Sequence, residues 1–415
     1  MDPISAPVRV RILTLGCKVN QCDAGELARA LAARGYVLAG RSQPADAYVV
    51  NTCTVTATAD AKARKLIRRL AREHPEATLI VTGCLAQRSP EAAALPGVTA
   101  VVPGTQEPTL PDLLASLVPP SSPFPLPSSL SRTRAFVKVQ DGCDHRCAYC
   151  AVPDARGPMV SKPLADALAE LRRLAEGGVQ EVVLCGIRLG RYGDGASTSL
   201  AALLRALRSI GPPRLRLSSI EPMDVTAALL AELADHPTLC HHLHLPLQSG
   251  DSAVLQAMGR SYRAEDFARL VAAVRAFWPD AAITTDIMVG FPGETEEQFA
   301  RTLSFVEGQR FSRVHVFPYS PRSGTPAACL ADLPPAVKTA RTERMLALAA
   351  HLEQAAAEAW VGRPVSVLCE ERDRQGLLTG LTAQYVRMRW EGPSDRIGKV
   401  ETVIPQRAAE GELLA

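Results

Sequence analysis

The 415-residue sequence contains no uninterrupted apolar run approaching the ~20 residues that a bilayer-spanning helix needs. Nothing near Met1 reads as a signal peptide, because Arg9 and Arg11 interrupt the only early apolar stretch. Strong charge of one sign is also missing. A net charge of +3 does not by itself predict a nucleic-acid partner. Charged residues make up 21% and hydrophobic residues 47%, so disorder as the main state is excluded. These absences predict a soluble, cytoplasmic protein of about three domains, long enough to bury sizeable cores. Two residue types stand out, eleven Cys and thirty-two Pro. An odd Cys count in a large chain without a leader argues against a disulfide framework and for metal or redox chemistry.

Residues 8–118 alternate strand and helix patterns. Strands are expected at Val8–Leu15, Asp46–Val50, Thr78–Val81 and Val98–Val102, with helices at Gly25–Ala33 and Ala59–Glu73. That alternation predicts an open parallel α/β domain. Residues 119–131 follow as a linker, within which five of the twelve residues from Pro119 to Leu130 are Pro. In residues 132–360 strands are expected at Phe136–Val139, Glu181–Cys185, Arg214–Ser219, Leu243–Leu247, Ile283–Val289 and Val314–Pro318. Helices are expected at Leu164–Glu176, Ala264–Phe277 and Ala336–Trp360. Six βα units predict a partial barrel whose chemistry lies at the C-terminal ends of its strands. Residues 361–407 carry short strands separated by turns, with no helix between them. They predict a small all-β, barrel-like module.

Six of the cysteines form two groups of three. Cys143, Cys147 and Cys150 in "VKVQDGCDHRCAYC" place three thiols in one compact loop. Such a loop suits three irons of a 4Fe-4S cluster and leaves the fourth open. An open iron can chelate the amino and carboxylate groups of S-adenosylmethionine. A structural zinc site more often uses paired C-x2-C spacings. Cys17, Cys53 and Cys84 each follow a predicted strand, in "VRILTLG", "AYVVNT" and "TLIVTG". Ligand sites of open α/β sheets form at those strand ends, so three thiols would converge there and hold a second cluster. Buried small hydrophobes are the plainer alternative. Cys22, Cys185, Cys240, Cys329 and Cys369 share no pattern and read as ordinary thiols.

The motifs "LTLGCKVNQ", "VVNTC", "TGC", "QDGCDHRCAYC", "LSSIEP", "HLHLPLQSG", "TTDIMVGFPGETEEQF" and "VFPYSPRSGTP" run in order along nearly the whole chain. With them the chain resembles the radical S-adenosylmethionine methylthiotransferases. The opening LGCKVNQ most resembles the branch that converts N6-threonylcarbamoyladenosine at position 37 of tRNA to its 2-methylthio form. Sister branches act on isopentenyladenosine in tRNA or on an aspartate of a ribosomal protein. The resemblance implies that Cys143, Cys147 and Cys150 hold a radical-generating 4Fe-4S cluster. It implies that Cys17, Cys53 and Cys84 hold an auxiliary 4Fe-4S cluster presenting the sulfur to be transferred. One S-adenosylmethionine would give the methyl group and another the radical that activates adenine C2. Expected partners are tRNA, a flavodoxin- or ferredoxin-like electron donor and a sulfur source, with no membrane. The C-terminal module resembles a TRAM domain, a small RNA-binding barrel. The chain departs from the family at Pro158-Met159-Val160, where a basic residue commonly precedes Ser161, and at Cys22, which replaces an aromatic residue.

Tyr149, Gly186, Glu221, Gln248 and Asp286 are candidates for the S-adenosylmethionine pocket, because most lie at or near central strand ends. Strand-end turn polarity is their bland reading. Gly186, Gly190, Gly193 and Gly195 read as a flexible loop with no dinucleotide fingerprint. Arg64, Arg68 and Arg72, with Lys62, Lys65 and Arg69, share a helix whose opposite stripe is Ala63, Leu66, Ile67 and Leu70. That basic face could track RNA phosphates or simply be solvated. In the C-terminal module Tyr385, Arg387 and Arg389 are expected on one strand face for RNA contact, with Trp390 in the core. "GFPGETEEQF" reads as a turn followed by a Thr295–Gln298 capping box. His242 and His244 share a face but are not counted as a metal site. A non-catalytic RNA-binding metalloprotein is the competing class.

Overall fold

A computed structural model describes residues 7–40, 43–120, 133–193 and 198–415. Most of the expected linker and Gly195 lie outside the described residues. The chain divides into two compact units that do not follow its linear order. Unit 1 is Met1–Leu130 with Asp141–Val160 and Ser320–Thr325; unit 2 is Ser131–Gln140, Ser161–Tyr319 and Pro326–Ala415.

Unit 1 contains β1 (Arg9–Thr14), α1 (Lys18–Ala33), β2 (Val37–Leu38), β3 (Ala47–Thr52), α2 (Ala57–Glu73), β4 (Thr78–Gly83), α3 (Cys84–Arg88), α4 (Pro90–Ala93), β5 (Ala100–Val101) and α5 (Leu110–Leu117). Its sheet has the order β2-β1-β3-β4-β5, and every pair is parallel. β3, "AYVVNT", is buried along its whole length, as a central parallel strand covered on both faces must be. One face packs Val49 and Ile80 against Leu27 and Leu31 of α1 and Leu110 and Leu114 of α5. The other packs Tyr48 and Val50 against Ala63 and Ile67 of α2 and Leu85 of α3. The expected parallel α/β architecture is therefore present. The α1 helix starts seven residues before the expected Gly25, because its first turns bury Val19, Asn20, Cys22 and Asp23 rather than a regular apolar stripe.

After α5 come β6 (Arg134–Lys138), β7 (Gln140–Asp141), α6 (Val152–Arg156) and β8 (Val160–Ser161). α6 belongs to unit 1, and β7 and β8 fall at the unit boundaries. In unit 2 six strands line up as β6, β9 (Glu181–Cys185), β10 (Arg214–Leu217), β11 (His242–His244), β12 (Ala282–Val289) and β13 (Arg313–Pro318). β10-β9-β6 and β11-β12-β13 are parallel three-stranded sheets. Single parallel bridges at Leu215–Leu239 and Ser219–His244 continue one into the other. The result is the expected open set of six βα units. β9 and the helices α7 (Leu164–Glu176) and α11 (Ala264–Phe277) match the sequence reading at both ends. One apolar core joins strand residues such as Leu184, Leu217 and Ile287 to Phe267, Phe299 and Phe311. Thr295 opens α12 (Glu296–Gln309) with the expected capping box. Beside it Glu294, buried, accepts from Gly290 N and pairs with Arg341 of α13 (Pro335–Glu358) at 2.7 Å.

The C-terminal module is a six-stranded sheet built from residues 365–414, so it runs past the expected end at 407. Its tail is the three-residue strand Glu412–Leu414, which pairs parallel with Arg387–Trp390. Within unit 2 this module meets the first residues of three barrel strands. Glu181 has no exposed side-chain surface and contacts Arg134 at 2.6 Å, Arg214 at 2.8 Å and Arg216 at 3.1 Å. Arg214 and Arg216 also donate to the carbonyls of Leu381, Thr382 and Ala383. Burial alone would raise the Glu181 pKa, but Arg216, Arg134 and Arg214 outweigh it and hold it at about 2. Replacing Glu181 by Gln leaves three guanidinium groups without their shared anion and should cost about 3–5 kcal/mol in denaturant unfolding near neutral pH. The native carboxylate is the depressed partner, so its contribution is complete above the unfolded carboxyl pKa of 4.5 and fades as pH falls toward about 2. The stability gap between wild type and Glu181→Gln should narrow across that window.

Candidate functional site

In unit 1 the strands β1, β3 and β4 are neighbours, and each ends next to a cysteine. Cys17 is the N-cap residue of α1, Cys53 follows β3, and Cys84 is the first residue of α3. Parallel strands send their carboxyl ends to one edge, so the three thiols share it. They lie close enough to influence one another's ionisation. Burial raises the Cys53 pKa; for Cys84 it raises it to about 11, with Arg156 opposing and Cys53 and Cys17 adding to the rise. Side-chain amides and hydroxyls fix the loops. Asn20 donates to Asn51 Oδ1 at 3.0 Å and to the Thr52 carbonyl at 3.1 Å, and Asn51 donates back to the Asn20 carbonyl at 3.2 Å. Thr52 Oγ1 accepts from Leu85 N at 3.2 Å. Gly83 has φ +88°, and a Cβ there would lie 2.4 Å from Asn51 Oδ1, so only glycine lets Cys84 open its helix here.

Two later segments of the chain complete this unit. Arg322, buried, donates to Thr54 Oγ1 at 2.8 Å and pairs with Asp60 of α2 at 2.6 Å. The other segment carries Cys143, Cys147 and Cys150. Cys143 and Cys150 are half-buried and Cys147 is buried. Cys150 N donates to the Cys147 carbonyl at 3.1 Å, Cys143 N to the Gly157 carbonyl at 3.2 Å, and Val152 N to Cys150 Sγ at 3.5 Å. A Cβ on Gly142, where φ is +72°, would lie 1.9 Å from the Pro158 carbonyl oxygen. The loop that carries the three thiols thus closes backbone against backbone. Thiolates are the ligand type of iron–sulfur clusters, and both groups of three fit that chemistry.

In unit 2 Glu221 and Gln248 lie beyond the ends of β10 and β11, whereas Asp286 lies inside β12 rather than at its end, because that strand continues to Val289. Glu221, one residue past Ile220 after β10, pairs with Arg260. Gln248 takes φ +73° and is bridged to β12 through Asp286 O and Met288 N. Asp286 lies 3.3 Å from His244, whose other ring nitrogen is 2.9 Å from Thr284 Oγ1. His315 joins them, and one donor atom from each of His244, Asp286 and His315 lies within 4.8 Å of the others. Sequence reading missed this group because His315 comes from β13, far along the chain. Gly186 follows β9 and donates to Ser218 Oγ at 3.4 Å. The described part of the glycine-containing loop is not loose as expected. It forms a turn at Leu189–Arg191, and Arg188 is bidentate to Asp224 at 2.8 and 2.9 Å. Tyr149 belongs to unit 1 and is half-buried, and the other four pocket candidates belong to unit 2.

Residues 137–306 match the Radical SAM superfamily model, and residues 9–102 match Uncharacterized protein family UPF0004. The threonylcarbamoyladenosine tRNA methylthiotransferase MtaB of Bacillus subtilis is 38% identical, covering 94% of this chain and 92% of its own. The tRNA-2-methylthio-N(6)-dimethylallyladenosine synthase of Sphingopyxis alaskensis is 36% identical, covering 95% and 94%. Among solved structures, the radical S-adenosylmethionine methyltransferase TsrM of Kitasatospora setae aligns with a TM-score of 0.56 at 17% identity over 77% of each chain, a likeness of fold.

The chain belongs to the radical S-adenosylmethionine methylthiotransferase family. Membership makes it an enzyme that uses S-adenosylmethionine and a 4Fe-4S cluster. The basic face expected on α2 is present. Lys62, Lys65, Arg68 and Arg72 are exposed and Arg64 is half-buried, while Ala63, Ile67 and Leu70 are buried. Arg69, exposed on the same helix, pairs with Glu73 at 3.8 Å, and among the described residues the other five make no ion pair. The C-terminal candidates fare differently. The strand begins at Arg387, so Tyr385 precedes it, in a turn at φ +65° outside the expected alternation. Its ring stacks on His242 at 4.4 Å and lies under Arg216 at 5.1 Å, contacts internal to the protein. Arg389 is held by Asp373 at 2.6 Å, whereas Arg387 is exposed, 3.8 Å from Glu412. Trp390 is buried in the module core, as expected. Cys22, Cys185, Cys240 and Cys369 are buried and Cys329 is exposed, consistent with ordinary thiols.

Gly142→Ala should be selectively damaging. After anaerobic reconstitution the variant should hold less iron and sulfide than wild type, with a melting temperature close to wild type. Wild-type iron and sulfide content would show that the close approach of Gly142 to Pro158 is unimportant.

Proposed function

We propose that the protein converts N6-threonylcarbamoyladenosine at position 37 of tRNA to its 2-methylthio derivative, using two 4Fe-4S clusters. The observation that carries this reading is the presence of two groups of three cysteines in one compact unit, each one ligand short of the four that a 4Fe-4S cluster takes. Cys143, Cys147 and Cys150 would hold the cluster that, when bound, supplies the electron for cleaving the sulfonium of S-adenosylmethionine. Cys17, Cys53 and Cys84 would hold the auxiliary cluster, where the transferable sulfur is presented. Each group leaves one iron for a non-protein ligand. Asn20, Asn51 and Thr52 orient the loops of the auxiliary group, as partners around metal ligands commonly do. Glu221 and Gln248, beyond strand ends, and Asp286, within β12, offer carboxylate and amide groups for S-adenosylmethionine, with His244 and His315 beside Asp286. Arg64, Arg68 and Arg72 supply a cationic face for the tRNA backbone, and Arg387 an exposed cation on the C-terminal module. An external electron donor and a sulfur source complete the requirements. Among the described residues no helix is long and apolar enough to cross a membrane.

The motif LGCKVNQ supports threonylcarbamoyladenosine as the substrate, as do the relatives named MtaB in Bacillus subtilis and Thermotoga maritima. Isopentenyladenosine in tRNA is the second reading, favoured by the similar identity of the dimethylallyladenosine relatives. Nucleoside mass spectrometry of a deletion strain decides between them. Loss of 2-methylthio-threonylcarbamoyladenosine, with isopentenyladenosine derivatives intact, is expected. The opposite loss would replace the first substrate by the second.

The cluster assignment makes a paired prediction. Cys147→Ala should abolish 5′-deoxyadenosine formation on anaerobic reduction with S-adenosylmethionine, yet keep about half the iron. Cys53→Ala should still cleave S-adenosylmethionine but transfer no methylthio group. Iron analysis with electron paramagnetic resonance checks occupancy. Methylthiolation by Cys53→Ala would overturn the two-cluster reading.

A further inference from the structure

Arg156 is the last residue of α6, the short helix that follows Cys150 within unit 1. Its side chain is 10% exposed and is held by two carboxylates, Asp23 at 2.7 Å and Asp141 at 3.4 Å. Asp23 lies on α1, the helix that Cys17 opens, and its side chain is 4% exposed. α6 packs against α3, the helix that Cys84 opens, and the Arg156 guanidinium lies beside the Cys84 side chain. Both Nη1 contacts are spent on the carboxylates. Nε and Nη2, although buried, meet no aligned hydrogen-bond partner. Buried donors without acceptors are rare in folded proteins, because each forfeits its hydration. An arginine in this state is a cation mounted with spare N–H groups beside a cysteine ligand.

We propose that Arg156 is a positioning residue of the auxiliary centre, directing its spare N–H groups at the Cys84 side of the cluster and raising that cluster's reduction potential. The inference rests on the reading that Cys17, Cys53 and Cys84 hold a cluster. Hydrogen bonds to cluster sulfur and nearby net charge are principal controls of iron–sulfur potentials. A cation stabilises the reduced, more negative cluster, so its removal lowers the potential. Asp23 and Asp141 make the burial of that cation tolerable, and they also attenuate its field. The segment 141–157 therefore contributes to both cysteine groups: three thiols to one and a charge to the other. The bland alternative is that Arg156 merely pins α6 to α1.

The two accounts differ in sign. In a Cys143→Ala/Cys147→Ala/Cys150→Ala background only the auxiliary centre can assemble, and its midpoint is read by redox titration followed with electron paramagnetic resonance. Arg156→Gln should shift the midpoint downward. Asp23→Asn, which frees the guanidinium from its nearest carboxylate, should shift it upward. Arg156→Lys, keeping the charge but losing the planar fork, should fall between Arg156→Gln and the parent. Melting temperatures of the metal-free proteins identify any variant that does not fold, and the remaining variants still carry the test. Unchanged midpoints, or shifts of one sign for Arg156→Gln and Asp23→Asn, would overturn the proposal while leaving the auxiliary cluster in place. A background protein that binds no iron would remove the cluster reading and this inference together.

Discussion

A carboxylate with no access to water must be matched by cations, and Glu181 is matched by three. Glu181, Arg134 and Arg214 are the first residues of β9, β6 and β10, so one charge sets the register of three adjacent strand beginnings. Arg214 and Arg216 then use their remaining donors on carbonyls of the C-terminal module. Buried ion clusters seldom add net stability over an apolar core, but they tolerate few alternative arrangements. The opposite ends of β9 and β10 lead into Gly186 and, four residues past the strand, Glu221.

The same division of labour appears in unit 1, by different means. There the strand ends carry thiols, and the anchors are neutral: the Asn20–Asn51 exchange and the Thr52 hydroxyl. Neutral anchors add no charge next to the thiols. The charge that does arrive comes from elsewhere in the chain, as Arg156 and Arg322, each delivered already paired with Asp23 or Asp60.

Much of this was legible in the sequence, and the failures have physical causes. Strands buried on both faces read as apolar runs, so the parallel elements were recognised and β9, α7 and α11 were placed residue for residue. Cysteines at three successive strand ends were visible because spacing along a repeated βα unit maps directly onto position in a parallel sheet. The start of α1 was missed because it buries Asn20 and Asp23, whose polar side chains are satisfied by Asn51 and Arg156 far away in sequence. Tyr385 was assigned to a strand face because period-two alternation says nothing about where a strand begins, and a left-handed turn intervenes. The His244–Asp286–His315 group and the Arg322–Asp60 pair depend on tertiary proximity alone.

Unit 1 is discontinuous in the chain, and this has a consequence for its synthesis. Asp60 lies 262 residues before Arg322, its partner. At translation rates of ~5–20 residues per second, roughly 13–50 s separate the appearance of the two. During that interval the amino-terminal sheet can form, but a buried carboxylate beside Cys53 has no counter-ion. The nascent chain thus emerges with a provisional thiol edge, completed only after most of the barrel has left the ribosome.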